Sequence, residues 1–94
     1  GATGKQFFYA ERDTVIDAVF ISSGGASGTL TLKTTASGTP SITNAHTITE
    51  GFAAATVDAE NNLVPAGSAI TADFSSVSGN DQVVIQMRIR TRTG

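Results

Sequence analysis

Between Val83 and Arg90 the side chains fall into two interleaved rows: Val83, Ile85, Met87 and Ile89 in one, Val84, Gln86, Arg88 and Arg90 in the other. A period of two is the mark of an extended strand, because successive side chains of a pleated backbone point to opposite faces. The same spacing places Leu30 and Leu32 inward between the outward Thr29, Thr31 and Lys33, and sets Ile70, Ala72 and Phe74 against Thr71, Asp73 and Ser75. Thr14 to Ser22 is a further strand, with Val15, Val19 and Ile21 expected on one face and Ile16, Ala18 and Phe20 on the other. Apolar residues on both faces predict a strand buried on two sides. Gln6-Phe7-Phe8-Tyr9-Ala10 makes a short aromatic opening strand, ended by the polar turn Glu11-Arg12-Asp13.

The segments between these runs carry turn chemistry. Ser37-Gly38-Thr39-Pro40, Pro65-Ala66-Gly67-Ser68 and Ser78-Gly79-Asn80-Asp81 put Gly, Pro and Asn where chain reversals need them. The Ser- and Gly-rich run from Ser22 to Gly28 reads as an exposed loop, and Asp58-Ala59-Glu60-Asn61-Asn62 as another. Ile42 and His46-Thr47-Ile48-Thr49 predict two short strands or one broken strand. Gly51 to Val57 is read as a strand, its Gly and Val boundaries outweighing the helix preference of its alanines. About eight short strands, turns at intervals of about 8 to 12 residues and no crossover helix predict an all-β fold, an antiparallel β-sandwich of jelly-roll-like form. The whole of residues 1–94 is expected to be one such domain, with 1–5 as a flexible N-terminal arm.

Composition narrows the function. The chain is 39% hydrophobic and 15% charged, which is globular, and it has no cysteine and a single histidine, so neither disulfides nor a thiolate metal clip can reinforce a small core. Oligomerisation is the remaining means of reinforcement. A net charge of −2 and a pI near 5.0 speak against nucleic acid as partner, since phosphate-binding domains are usually basic. No run approaches the roughly 20 apolar residues of a membrane-spanning helix, and Gly1 to Lys5 lacks the pattern of a secretory signal, so no membrane association is expected.

Catalytic signatures are missing. There is no cysteine nucleophile and no Gly-x-Ser-x-Gly elbow, and the lone His46 reads as an ordinary structural or surface residue. Asp58-x-Glu60-x-Asn62 spaces oxygens as calcium loops do, but Leu63 stands where such a loop needs glycine and Ala69 where it needs a bidentate glutamate, so a solvated loop is expected there, with a low-affinity cation site as the alternative. Gly24-Gly25 is not followed by a helix and is no phosphate cradle. A sandwich this small has little room for an apolar active-site pocket. No cofactor and no enzymatic activity are therefore expected.

Two clusters remain. Arg88, Arg90 and Arg92 share one face of the terminal strand by period two. They either pair across strands with carboxylates such as Asp17 or Asp73, or present their guanidinium forks to carboxylates on a partner. Three consecutive aromatics cannot all face one core, so at least one of Phe7, Phe8 and Tyr9 points outward, under a loop or into a subunit contact. Phe8, Tyr9, Arg88, Arg90 and Arg92 are the candidate partner-binding residues.

The order of these segments resembles the small β-sandwich decoration, or cement, proteins of tailed-bacteriophage heads. The resemblance is carried by Phe7-Phe8-Tyr9-Ala10-Glu11-Arg12-Asp13-Thr14-Val15, a small-residue loop into Gly28-Thr29-Leu30-Thr31-Leu32-Lys33, then Ile48-Thr49, a Gly- and Ala-rich passage, Asn61-Asn62-Leu63-Val64-Pro65-Ala66-Gly67-Ser68-Ala69-Ile70 and the final alternating strand. Relatives often have a proline near the first turn, where this chain has Ala10-Glu11. The resemblance implies a structural protein of the virion, made in the bacterial cytoplasm and seated on the outer capsid surface, often as a homotrimer, with the major capsid protein as partner. The alternative is a carbohydrate- or receptor-binding sandwich such as a tail-fibre domain, since one fold serves both; the absence of Trp and the single Tyr9 disfavour sugar binding.

Overall fold

The computed structural model describes residues 5–23, 27–78 and 83–92. Among the described residues eight strands run in order: β1 Lys5–Tyr9, β2 Thr14–Ser23, β3 Ser27–Thr34, β4 His46–Thr47, β5 Ala53–Ala55, β6 Leu63–Val64, β7 Ala69–Ser78 and β8 Val83–Thr91. One sheet has the order β1-β7-β3-β4. In the other, β2 is central, with β8 along one edge and β5 and β6 sharing the opposite edge. Every pairing is antiparallel, and there is no helix among the described residues. Most connections carry the chain from one sheet to the other, so that the two antiparallel sheets form a small β-sandwich.

The core lies between the sheets. Ile16, Val19 and Ile21 of β2 face Leu30, Leu32 and Ile70 of the other sheet, all at 0% exposure, and each such side chain contributes about 1.5–3 kcal/mol by leaving water. As expected, the inward residues of β3 and β7 are Leu30, Leu32, Ile70 and Ala72, and the inner row of β8 (Val83, Ile85 and Met87) packs on the core. Two turns close with the chemistry anticipated for them. Ser68 N–H donates to Pro65 O (3.0 Å) with Gly67 at φ 87°, and Thr39 N–H donates to Ala36 O (2.8 Å) with Gly38 at φ 85°.

Several expectations need correction. In β2 the faces are not as a strict period of two predicts: Ile16 lies opposite Ile89 and Ala18 opposite Arg88, so Asp17 is the extra residue of a β-bulge. The bulge puts Ile16 inside with Val19 and Ile21, and leaves Val15, Ala18 and Phe20 together on the outer face, half-buried. That face is not buried a second time, because no strand of the described residues packs over it. The supposed loop from Ser22 to Gly28 is mostly sheet: Ser22 and a buried Ser23 end β2, and Ser27 and Gly28 begin β3, with residues 24–26 outside the described residues. Leu63 and Val64, between the loop at residues 58–62 and the turn at residues 65–68 and assigned to no strand from the sequence, pair with Val15 and Thr14 as β6. Lys5, assigned to the N-terminal arm, already lies in β1 opposite Ala72, and the rest of that arm falls outside the described residues.

Candidate partner-binding surface

The aromatic opening strand divides as its sequence requires. β1 pairs with β7 through Gln6–Thr71 and Phe8–Ile70, so Phe7 is an extra residue between them. Phe8 turns inward and packs against the core, whereas Phe7 and Tyr9 stand out at 40% and 62% exposure. Of the two aromatics singled out for partner binding, Tyr9 is thus an outward group and Phe8 is mainly a core residue.

The arginines also separate. Arg90 reaches the bulged Asp17 with two hydrogen bonds, Nε to Oδ2 at 2.7 Å and Nη2 to Oδ1 at 2.9 Å. The fork matches the carboxylate edge to edge, a geometry that a lysine could not reproduce. This contact holds the Asp17 carboxyl below its ordinary value of 3.8, with a further contribution from the nearby charge of Arg88. Arg90 therefore takes the cross-strand role. Asp73 does not serve an arginine: its carboxylate lies 3.2 Å from Lys33 Nζ on the outer face of the other sheet. Arg88 and Arg92 have no side-chain hydrogen bond or ion pair among the described residues. Arg92 prolongs the ladder past β8 by donating its backbone N–H to Asp13 O (2.8 Å).

The tertiary structure places the strands that carry the two clusters beside one cleft, but turns Arg88 and Arg90 away from it. β1 is an edge strand of one sheet and β8 an edge strand of the other, and a cleft opens between their ends, with Phe8, Tyr9, Arg12, Ile89 and Thr91 in its wall. Ile89, the last apolar residue of the inner row of β8, is 38% exposed there. Arg88 and Arg90 point the other way, onto the outer face of the β2 sheet, beside the half-buried Val15, Ala18, Phe20 and Leu63 and an exposed Val84. The sequence reads β2 as apolar on both faces, and the bulge at Asp17 decides which of its apolar residues turn outward.

The other candidates resolve locally. Asp58 uses both carboxylate oxygens within its own turn, accepting from Glu60 N–H (2.9 Å) and Asn61 Nδ2 (3.0 Å), and Asn62 Nδ2 donates to Ile16 O (3.0 Å). Among the described residues no group of three His, Cys, Asp or Glu side chains is placed to hold a metal ion. His46, on β4 opposite Leu30, has its Nε2 buried without a hydrogen-bond partner among the described residues. No protein-family model, curated protein or solved structure matches the chain.

Proposed function

We propose that this protein is a structural surface-binding module, a decoration protein of a tailed-phage head that sits on the outer face of the major capsid shell and stabilises it. The reading starts from the segment order that resembles that family. The observation that carries it furthest is the outer face of the β2 sheet. There Val15, Ala18, Phe20 and Leu63 form an apolar strip with no strand of the described residues over it, and Arg88 stands beside it without a side-chain partner among those residues. A strip of this kind, rimmed by arginine, has the composition of an interface centre and its edge. Tyr9, at 62% exposure, adds a rigid amphipathic anchor.

The physics of the role is additive. Each copy supplies a modest contact, and repetition over a symmetric shell turns small free energies into a large total through effective concentration. On this reading the assembled form is a homotrimer and the partner is the major capsid protein.

The test pairs two measurements: mass in solution by sedimentation equilibrium, and co-sedimentation with purified expanded phage heads stripped of their own decoration protein. A trimer that saturates the heads and raises their melting temperature is expected. A monomer that ignores every shell, or one retained instead on a glycan array, replaces the reading.

A further inference from the structure

We infer that the outer edge of β8 receives an extended acidic segment of a partner protein as an added strand, its carboxylates opposite Arg88 and Arg92 and its apolar side chains in the seam between β8 and β1. This rests on the reading of the protein as a module that holds other protein surfaces, and it names the chemistry of what is held.

Three observations converge on that edge. The first is backbone. β8 is 9 residues long and, among the described residues, pairs along one side only, with β2 from Thr14 to Ser23. Its other side presents a row of N–H and C=O groups, a template onto which another strand can add. No proline interrupts it.

The second is the seam. Among the described residues the sandwich is open between β8 and β1, and the cleft there, about 430 Å³, has Phe8 and Ile89 in its wall with Arg12 and Thr91. Side chains of an added strand that continue the inner row of β8 would enter this space and cover Ile89, now 38% exposed. Period two therefore requires an apolar residue at every second position of the occupant.

The third is charge, which selects the occupant. Of the 6 Lys and Arg residues in a chain of net charge −2, Arg12 lines the cleft, Arg88 and Arg90 lie on β8, and Arg92 directly follows it. Arg90 is engaged by Asp17, while Arg88 and Arg92 have no side-chain partner among the described residues. Glu11 supplies a carboxylate to the cleft wall, against the cation of Arg12. A second copy of β8 laid on this edge would bring its own arginines to the same ladder, and facing like charges are unfavourable. A strand whose outer row is Asp or Glu meets the guanidinium forks in the geometry they favour. The occupant is thus an extended segment alternating acidic with aliphatic residues.

The experiment titrates isotope-labelled full-length protein with an eight-residue capped peptide alternating Glu and Val. Two controls of equal length accompany it, one with Lys for Glu and one of Glu alone. Expected are chemical-shift changes confined to β8 and β1 and slowed hydrogen exchange of the β8 amides. Affinity should be about tenfold weaker for each control peptide and for the Arg88→Ala/Arg92→Ala double variant, whose fold is checked by its unchanged β1 and β7 resonances. The inference is overturned if the Glu–Val peptide perturbs nothing at about 1 mM, perturbs another face, or is matched by either control. Tighter binding of a single-stranded oligonucleotide at the same edge also overturns it. Head co-sedimentation separates the two readings: shells bound without peptide binding sinks strand addition alone, and peptide binding without shells sinks the capsid reading alone.

Discussion

Arg90 and Asp17 are joined by a two-pronged contact across the β2–β8 ladder, at the residue where β2 bulges. The bulge and the ion pair belong together. An extra residue in β2 turns Asp17 toward the outer face, where the Arg90 fork meets it at 2.7 and 2.9 Å. The contact is solvent-exposed, with Arg90 66% and Asp17 22% accessible, so its effect on stability is modest and falls with added salt.

The pH dependence follows from the lowered Asp17 carboxyl. The folded state holds this group ionised below its ordinary value of 3.8, so between the two values the unfolded chain binds more protons. The stabilisation is fully present above about pH 4 and is lost as pH falls through the folded value. Asp17→Asn should therefore lower the melting temperature at pH 7 and narrow the difference between pH 7 and pH 3. Melts of both proteins across that range check it; parallel acid limbs would show that the contact contributes nothing.

Leu32, wholly buried on β3, is opposite Ala72 and belongs to the layer shared by the two sheets. Leu32→Ala should cost about 2–5 kcal/mol, the lost transfer energy plus the cavity left behind. Urea unfolding with an unchanged slope measures it.

Thr43 is a buried polar residue whose hydroxyl satisfies a strand amide, its Oγ1 accepting a hydrogen bond from Leu32 N–H at 3.1 Å. Thr43→Val keeps the shape and orphans the amide, at a cost of about 1–3 kcal/mol, whereas Thr43→Ser keeps the acceptor and loses only a methyl. Equal destabilisation by both substitutions in a denaturant series would contradict the hydrogen-bond account.

Two turn positions should respond with opposite signs. Thr39 is a β-branched residue at φ 41°, in a region that Asn occupies more readily, so Thr39→Asn should stabilise by about 1 kcal/mol. Gly67 sits at φ 87° with nothing within 4 Å of where a Cβ would be, so Gly67→Ala should lose about 1 kcal/mol through the backbone alone. Thermal melts of the two single variants decide the matter.

Tyr9 and Arg88 lie outside the buried core, and their removal should separate binding from folding. The double variant Tyr9→Ala/Arg88→Ala should stay within about 0.5 kcal/mol of the parent in denaturant unfolding and, on the proposed capsid-binding role, lose about tenfold in affinity for phage heads. Unaltered head binding would remove both residues from the interface.

Strands β2, β3, β7 and β8 were legible because their rows of Val, Ile, Leu and Phe repeat every two residues, a purely local pattern. The short β6 was not: Leu63-Val64 is too brief for any period to show, and it becomes a strand only because Thr14 and Val15 lie beside it. The candidate surface was legible in its residues but not in their roles. Which arginine pairs inward and which aromatic joins the core depended on the bulges at Asp17 and Phe7, and a bulge leaves the alternation of the surrounding sequence intact.

By itself the sequence determined that this chain makes pleated strands broken by Gly, Pro and Asn turns, since side-chain alternation and positive-φ preferences act over a few residues. Tertiary structure alone decided that β1 and β8 become edges of their sheets among the described residues and that Arg90 rather than Arg88 meets Asp17. It also decided that Val15, Ala18 and Phe20 face outward with no strand of the described residues above them. The reason is sequence separation: Asp17 and Arg90 are 73 residues apart, and only the register of strands brought together from opposite ends of the chain fixes which side chains meet.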